Sequence, residues 1–113
     1  MKLLFICSFN SIRSRTAEDI YNKYSSDTAR SAGIFPNART RINASMLEWA
    51  DMIFTMEAVH TDYIRSLFPA TIGNCEVINL DISGEYYYNQ PELIAEIRKK
   101  ADPYLKNQMP SPE

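Results

Sequence analysis

Short, unbroken apolar runs alternate along this chain with longer amphipathic segments. The runs are KLLFI at residues 2–6, DMIFTM at 51–56 and CEVINL at 75–80, with a weaker one, TARSAG, at 28–33. Such runs are typical of strands buried on both faces. The segments at 13–24, 44–50, 57–68 and 91–105 are predicted to be helices. This alternation predicts an α/β fold: a single domain over residues 1–113, with a four-stranded parallel sheet and helices on both faces.

The composition indicates which binding partners and which cellular compartment to expect. The chain has 113 residues, of which 45% are apolar and 23% charged, as in ordinary soluble domains. Its 12 basic and 14 acidic residues give a net charge of -2, so we expect neither nucleic acid nor an anionic membrane as partner. The apolar start is too short for a signal peptide. We therefore expect a cytoplasmic protein in which Cys7 and Cys75 are reduced.

The loop that follows the first predicted strand carries the main chemical signal. Cys7 ends the apolar run, and Arg13 opens the next predicted helix six residues later. A strand-to-helix turn of this kind gathers backbone N–H groups, and the helix dipole adds partial positive charge. Arg13 adds a planar fork that fits two phosphate oxygens. The pattern predicts a phosphate-binding loop, in which the same donors stabilise Cys7 as a nucleophilic thiolate.

A structural interpretation of the same residues remains open. A buried cysteine is most often part of the core, and Arg13 would then pair with a nearby carboxylate. Asn10 and Ser14 would then do no more than cap the helix.

The motif itself resembles that of a known family. CSFNSIRS at residues 7–14 fits the pattern C-x-x-N-x-x-R-S of the low-molecular-weight protein tyrosine phosphatases, and TAED, SAG and WADMIFTME are similar to its later segments. The resemblance implies that Cys7 forms a phosphocysteine and Arg13 binds the phosphate and the transition state. It implies that Ser14 hydrogen-bonds the thiolate and that Asn10 holds the loop in a left-handed conformation. The implied phosphate-binding residues are Ser8, Phe9, Asn10, Ser11, Ile12, Arg13 and Ser14.

The resemblance also implies an activity. The protein is expected to hydrolyse phosphotyrosine or a similar aryl phosphate, on a protein or a small molecule, without a metal or other cofactor. Two alternatives remain: a non-catalytic oxyanion-binding module of the same fold, and an arsenate reductase. The reductase chemistry relays oxidation through two further cysteines, whereas this chain offers only Cys75.

The general acid is where the sequence departs from the family. The family places an aspartate-proline pair after its fourth strand, and here Asp81 follows that strand but is succeeded by Ile82. We predict Asp81 as the acid that protonates the leaving oxygen, with Glu85 on the same loop as the alternative. The pair Asp102-Pro103 matches the motif but falls at the end of the last predicted helix, so we interpret it as a helix stop.

Aromatic residues and the single histidine complete the predictions. Tyr86, Tyr87 and Tyr88 are candidates for the walls of a slot for an aromatic ring. Phe9 replaces a glycine common in the family and is expected at the rim of the loop. His60 is predicted to be a surface residue of a helix, away from the loop.

Overall fold

Four parallel strands form the central sheet, in the spatial order β2–β1–β3–β4. The computed structural model describes residues 1–105, so residues 106–113 of the predicted domain lie outside it. In the register of the sheet, Leu4 lies opposite Arg30 and Ile53, and Ile53 lies opposite Val77. The strands are β1 (Lys2–Cys7), β2 (Thr28–Gly33), β3 (Met52–Thr55) and β4 (Val77–Asn79).

The connections between the strands are helical, as predicted, with two differences. A short helix that was not predicted begins at Pro69, a residue suited to the first helical turn. The last helix ends at Ala101, and a 3-10 turn, Asp102–Tyr104, follows because Pro103 has no N–H to extend the helix. No helix within residues 1–105 is long and apolar enough to span a membrane. The helices are α1 (Arg13–Tyr24), α2 (Ala44–Trp49), α3 (Ala58–Leu67), α4 (Pro69–Ile72) and α5 (Pro91–Ala101).

Successive side chains of β1 enter two different cores. Leu3 and Phe5 belong to the cluster that packs under α1 and α5, whereas Leu4 and Ile6 belong to the cluster under α2, α3 and α4. This alternation follows from the two-residue period of a strand. All four side chains are fully buried, which explains why the run shows no polar alternation.

An aromatic stack lies directly below the end of β1. The ring of Phe5 lies 5.5 Å from that of Tyr21 in α1 and 5.1 Å from that of Phe54 in β3, with both pairs nearly parallel. Cys7 lies two residues after Phe5 and therefore points to the same face of the sheet. The thiol thus lies at the carboxyl end of a central strand, where parallel α/β sheets bind their ligands.

Candidate active site

The loop between β1 and α1 is anchored through three consecutive carbonyl groups. The backbone N–H groups of Ile34, Phe35 and Arg39 donate to the carbonyl oxygens of Cys7, Ser8 and Phe9, at 3.1, 3.1 and 2.9 Å. In a trans peptide the next N–H points opposite to the carbonyl. The amides of residues 8–10 therefore point away from the 34–39 segment, and that of Asn10 reaches the Cys7 Sγ at 3.2 Å. The loop thus presents a set of converging donors.

This close approach depends on Gly33 at the end of β2. A Cβ atom there would lie 2.6 Å from the carbonyl oxygen of Ser8 and 2.8 Å from the carbonyl carbon of Phe9. Both contacts are with backbone, which has no side-chain freedom to move aside. The absence of a side chain at Gly33 is therefore what lets the loop approach the 34–39 segment.

A buried polar network surrounds the sulfur of Cys7. Asn10 has a φ of 58°, the left-handed conformation that the family resemblance implied, and its Nδ2 donates to Ser14 Oγ and Ser31 Oγ, each at 2.8 Å. Ser31 Oγ in turn donates to the carboxylate of Glu18. Ser14 Oγ lies 2.9 Å from the Cys7 Sγ.

The network favours one direction for the hydrogen bond between Ser14 and Cys7. Ser14 Oγ accepts from Asn10, so its own proton is free to point at the sulfur, the nearest acceptor, since the carbonyl oxygen of Ala32 lies farther away at 3.4 Å. The sulfur then receives two hydrogen bonds, from Ser14 Oγ and from the Asn10 amide.

Neither Asn10 nor Ser14 acts as the helix cap that the structural interpretation required. The N-cap position of α1 is Ile12, and no side chain caps the helix there. The first amides of α1 have no intrahelical acceptor, so they remain as donors for an anion at the helix N-terminus.

Arg13 is buried, and its guanidinium is held by Glu57 at the start of α3 and by Ile82 in the loop after β4. Its Nη1 donates to Glu57 Oε2 at 2.5 Å and to the carbonyl oxygen of Ile82 at 2.8 Å. The hydrogen bond from Arg13 is the main reason that the pKa of Glu57 is lowered. Gly84 lies against the other end of the guanidinium, since a Cβ atom there would be 3.6 Å from Nη2. Arg13 does pair with a carboxylate, but it also reaches the cavity beside Cys7.

The prediction that His60 is a surface residue is wrong. Its side chain is fully buried, and it completes a reciprocal capping box with Glu57 at the start of α3. The Glu57 N–H donates to His60 Nδ1 at 3.0 Å, so Nδ1 carries no proton. The proton is therefore on Nε2, which lies 3.0 Å from Ser8 Oγ and donates to it. A polar residue three positions after Glu57 was the sequence signal for this cap.

The pKa of His60 is lowered to about 4. Burial is the largest cause, and the positive charge of Arg13 lowers the pKa further. The negative charge of Glu57 opposes this shift and does not overcome it. His60 is therefore neutral at neutral pH, as its two hydrogen bonds require.

A cavity of about 210 Å³ opens above the loop. Most of the predicted phosphate-binding residues line it, while Asn10 and Ser14 lie beneath as the buried support. Its lining residues are Cys7, Ser8, Phe9, Ser11, Ile12, Arg13 and Gly84.

Comparisons with solved structures find proteins of similar overall fold. The structure matches SP-PTP, a low molecular weight protein tyrosine phosphatase from Streptococcus pyogenes, with a TM-score of 0.77 over 97% of this chain and 94% of that one, at 15% identity. It matches Wzb of Vibrio vulnificus in complex with benzylphosphonate (TM-score 0.73, 94% and 97% covered, 19% identity). It also matches the YwlE arginine phosphatase from Geobacillus stearothermophilus (TM-score 0.72, 94% of each chain, 18% identity).

The chain has the fold of the low-molecular-weight protein tyrosine phosphatases. A scan against protein-family models finds no match, and a search of curated proteins finds none either. The likeness therefore rests on the three-dimensional arrangement of the chain.

Within this phosphatase fold, the candidate acids do not line the cavity. Asp81 lies in the loop after β4, outside any helix or strand, and has a φ of 54°. Its N–H donates to Asn79 Oδ1, and its carbonyl oxygen accepts from Lys100 Nζ. Glu85 directly follows the cavity-lining Gly84, and its carboxylate accepts from Ser83 Oγ at 3.3 Å. Both carboxylates are exposed on the loop that flanks Arg13.

Asp102 lies elsewhere, as its interpretation as a helix stop implied. It accepts a hydrogen bond from Tyr21 at 2.5 Å and pairs with Arg98, so it ties the 3-10 turn to α1 and α5. Burial, followed by the hydrogen bond to Asp102, raises the pKa of Tyr21. This cluster is part of the structural support of the fold.

The predicted tyrosine slot is not formed at the cavity. Tyr86 packs half-buried against the core, and Tyr87 is exposed. Tyr88 donates to Asp19 and lies under the guanidinium of Arg15, at 4.3 Å, on the side of α1. The aromatic residue at the cavity is Phe9, which is 45% exposed and meets the ring of Phe35 edge-on at 4.7 Å.

Cys75 and Cys7 lie at opposite ends of the strands of the sheet. Cys75 precedes β4 by two residues, at the level of Lys2, whereas Cys7 is the last residue of β1. Five strand positions correspond to about 16 Å, far beyond the roughly 7 Å that a disulfide spans between Cα atoms. The two described cysteines therefore cannot pair without unfolding. Within residues 1–105 there is also no cluster of three or more residues suited to hold a metal.

Gly33→Ala should damage the loop more than the fold. The added Cβ would push against the backbone of Ser8 and Phe9, so the loop must move. We expect phosphate affinity, measured by protection of Cys7 from alkylation, to fall at least about 10-fold, while the circular dichroism spectrum is retained. Gly73→Ala is the control, because Gly73 has a positive φ of 52° and the added side chain strains the backbone there, far from the loop. Unchanged phosphate protection in Gly33→Ala would contradict this role.

Lowering the pH should destabilise the protein through His60. The pKa of His60 is about 4 in the folded protein and about 6.5 unfolded, so the unfolded chain binds the extra proton first. Stability from this group is complete above about pH 6.5 and is lost as the pH falls towards 4, by at most about 3 kcal/mol. Denaturant unfolding at several pH values should show a steeper loss for the wild type than for His60→Asn. Equal slopes would contradict the assignment.

Proposed function

We propose that the protein is a cysteine-dependent phosphomonoesterase that acts on phosphotyrosine or related aryl phosphates. The observation that carries the proposal is the pair of hydrogen bonds to the Cys7 Sγ, from Ser14 Oγ and the Asn10 amide, in a cavity shared with Arg13. A stabilised thiolate at the base of an anion-binding loop is the arrangement that phosphoryl transfer to sulfur needs.

The first step is an in-line attack of the Cys7 thiolate on phosphorus. The S–P bond forms as the bond from phosphorus to the aryl oxygen breaks, and the leaving oxygen takes a proton from a carboxylic acid. The loop amides and the free end of the Arg13 guanidinium would bind the equatorial oxygens, where charge concentrates in the transition state. Glu57 keeps Arg13 in place by holding its other nitrogen.

The second step regenerates the enzyme. Water gives up a proton to the same carboxylate and attacks phosphorus, the S–P bond breaks, and inorganic phosphate leaves. Ser14 would donate to the sulfur as it becomes a thiolate again, from its present distance of 2.9 Å. The loop and Arg13 supply the positive potential for both steps, so the proposed mechanism requires no metal ion.

We propose Glu85 as the general acid, ahead of Asp81. The segment from Ile82 to Gly84 lies over Arg13, and Glu85 is bonded to Gly84 at the cavity edge. Asp81 precedes this segment, and Lys100 holds its carbonyl oxygen on the side of α5. Asp81, the first choice from the sequence, stays as the second assignment, and the experiment below separates the two.

The other activities considered from the sequence have less support. An arsenate reductase relay needs a resolving cysteine near Cys7, and Cys75 lies at the opposite end of the strands. A non-catalytic oxyanion-binding module would keep the loop and lack an effective acid. It predicts phosphate binding without turnover.

The mechanism is tested first with para-nitrophenyl phosphate and then with phosphotyrosine. Cys7→Ser should abolish both activities. Glu85→Gln should lower kcat by about 10-fold with the first substrate and by about 100-fold with the second, whose leaving oxygen needs the proton more. Asp81→Asn should have little effect, and Asp102→Asn is the control far from the cavity. A large loss in Asp81→Asn with none in Glu85→Gln would reverse the assignment, and phosphate binding without turnover by the wild type would establish the binding module.

The substrate class is tested with matched peptides that differ only in the phosphorylated residue. The structures similar to this one include arginine phosphatases as well as a tyrosine phosphatase, so both residues are compared, together with phosphoserine. We expect the highest kcat/KM with phosphotyrosine, because Phe9 offers its ring at the cavity. Phe9→Ala should lower that value by about 2- to 10-fold and leave phosphoserine unaffected. A higher kcat/KM with phosphoarginine would contradict the aryl assignment.

A further inference from the structure

The imidazole of His60 has one more hydrogen bond than its helix requires. In a capping box the residue at this position needs only one acceptor for the N–H of the cap residue, and a glutamine or glutamate supplies it. His60 uses Nδ1 for that purpose, towards Glu57. The opposite ring nitrogen extends beyond the helix to Ser8, 52 positions earlier in the chain.

Ser8 is the first loop residue after Cys7, and it lines the cavity. Its carbonyl oxygen accepts from the Phe35 amide at 3.1 Å, and its side chain meets His60 at 3.0 Å. The peptide group that carries the Phe9 amide is thus fixed on one side by β2 and its following segment, and on the other by α3. Without His60 the side-chain half of this constraint is lost.

The same helix end also holds the arginine of the site. The Glu57 carboxylate accepts from the backbone N–H of His60 and from Arg13. His60 and Glu57 therefore fix each other, and together they reach Ser8 on one side of the cavity and Arg13 on the other. The beginning of α3 thus holds both parts of the site that would bind a phosphate, the loop at Ser8 and the guanidinium of Arg13.

We propose that His60 is a positioning residue, which holds the phosphate loop in its binding conformation through the hydrogen bond from Nε2 to Ser8. The inference rests on the proposed function of the loop and adds to it a residue that never contacts the phosphate. A neutral imidazole with fixed proton positions suits this task, because it accepts on one side and donates on the other. No other neutral side chain of this reach does both from a single rigid ring.

The proposal is tested with variants at both ends of the hydrogen bond. His60→Asn is short enough to lose Ser8 while its oxygen still accepts from the Glu57 N–H, and Ser8→Ala removes the hydroxyl. Ser8→Thr keeps the hydroxyl and is the conservative variant at a half-buried position. The probe is inorganic phosphate: its dissociation constant is measured by protection of Cys7 from alkylation, which needs no turnover.

We expect His60→Asn and Ser8→Ala each to weaken phosphate binding by about 2- to 10-fold, the value of one hydrogen bond. The double variant should bind no more weakly than the weaker single variant, because both substitutions remove the same interaction. Ser8→Thr should bind as the wild type does. With para-nitrophenyl phosphate, the KM should rise by a similar factor while kcat changes less.

Tyr21→Phe provides the control for a loss of stability alone. It also removes one buried side-chain hydrogen bond, to Asp102, far from the loop. It should lower the melting temperature to a similar extent and leave the phosphate dissociation constant unchanged. If Tyr21→Phe weakens phosphate binding as much as His60→Asn, the effect is one of stability and the proposal is wrong.

Two other results would overturn the proposal. The first is a phosphate affinity in Ser8→Ala equal to that of the wild type. This test needs no other variant, so it decides the question even if His60→Asn does not fold. The second is additive losses in the double variant. If only the proposed function fails, the result is different. The wild type then shows no turnover, but phosphate still protects Cys7 from alkylation, and this protection still depends on Ser8 and His60.

Discussion

The hydrogen bonds that join the carbonyl groups of Cys7, Ser8 and Phe9 to the 34–39 segment are the interaction on which the site depends. They turn the three following amides away from that segment, because carbonyl and N–H point in opposite directions in a trans peptide, and the amide of Asn10 reaches the sulfur of Cys7. They form only because Gly33 leaves room for the backbone to approach. Strand β2, which contributes no side chain to the cavity lining, therefore determines the shape of the anion site through its last residue.

The remaining features of the site control charge within this frame. Two branches of hydrogen bonds start at Asn10 Nδ2: one runs through Ser31 to the carboxylate of Glu18, and the other runs through Ser14 to the sulfur of Cys7. Across the cavity, α3 begins with the pair that holds Arg13 and Ser8. Among the described residues, Asn10 Oδ1 is the buried side-chain polar atom that has no hydrogen-bond partner. The network therefore holds the loop through the Nδ2 of Asn10 and leaves its Oδ1 unused.

The sequence predicted the sheet and the loop because both depend on local patterns. Unbroken apolar runs identify strands buried on both faces, and the spacing from Cys7 to Arg13 identifies the loop. His60 was misjudged because its burial comes from a tertiary contact with Ser8, although the capping box with Glu57 could have been noticed. The tyrosines were misplaced because the loop after β4 turns through positive φ angles at Asp81 and Asn89, which a sequence pattern does not fix. The choice of Asp81 as the acid rests on the same loop, and it stays a prediction.

The central claim is that the loop keeps the sulfur of Cys7 ionised and binds phosphate beside it. Alkylation by iodoacetamide at several pH values, followed by mass spectrometry of each cysteine, tests this directly. Cys75 serves as the internal reference, because burial and the nearby Asp51 and Glu76 raise the pKa of its thiol. The account predicts rapid modification of Cys7 at pH 6, strongly slowed by inorganic phosphate, and little modification of Cys75. Equally slow modification of both cysteines, unaffected by phosphate, would contradict it.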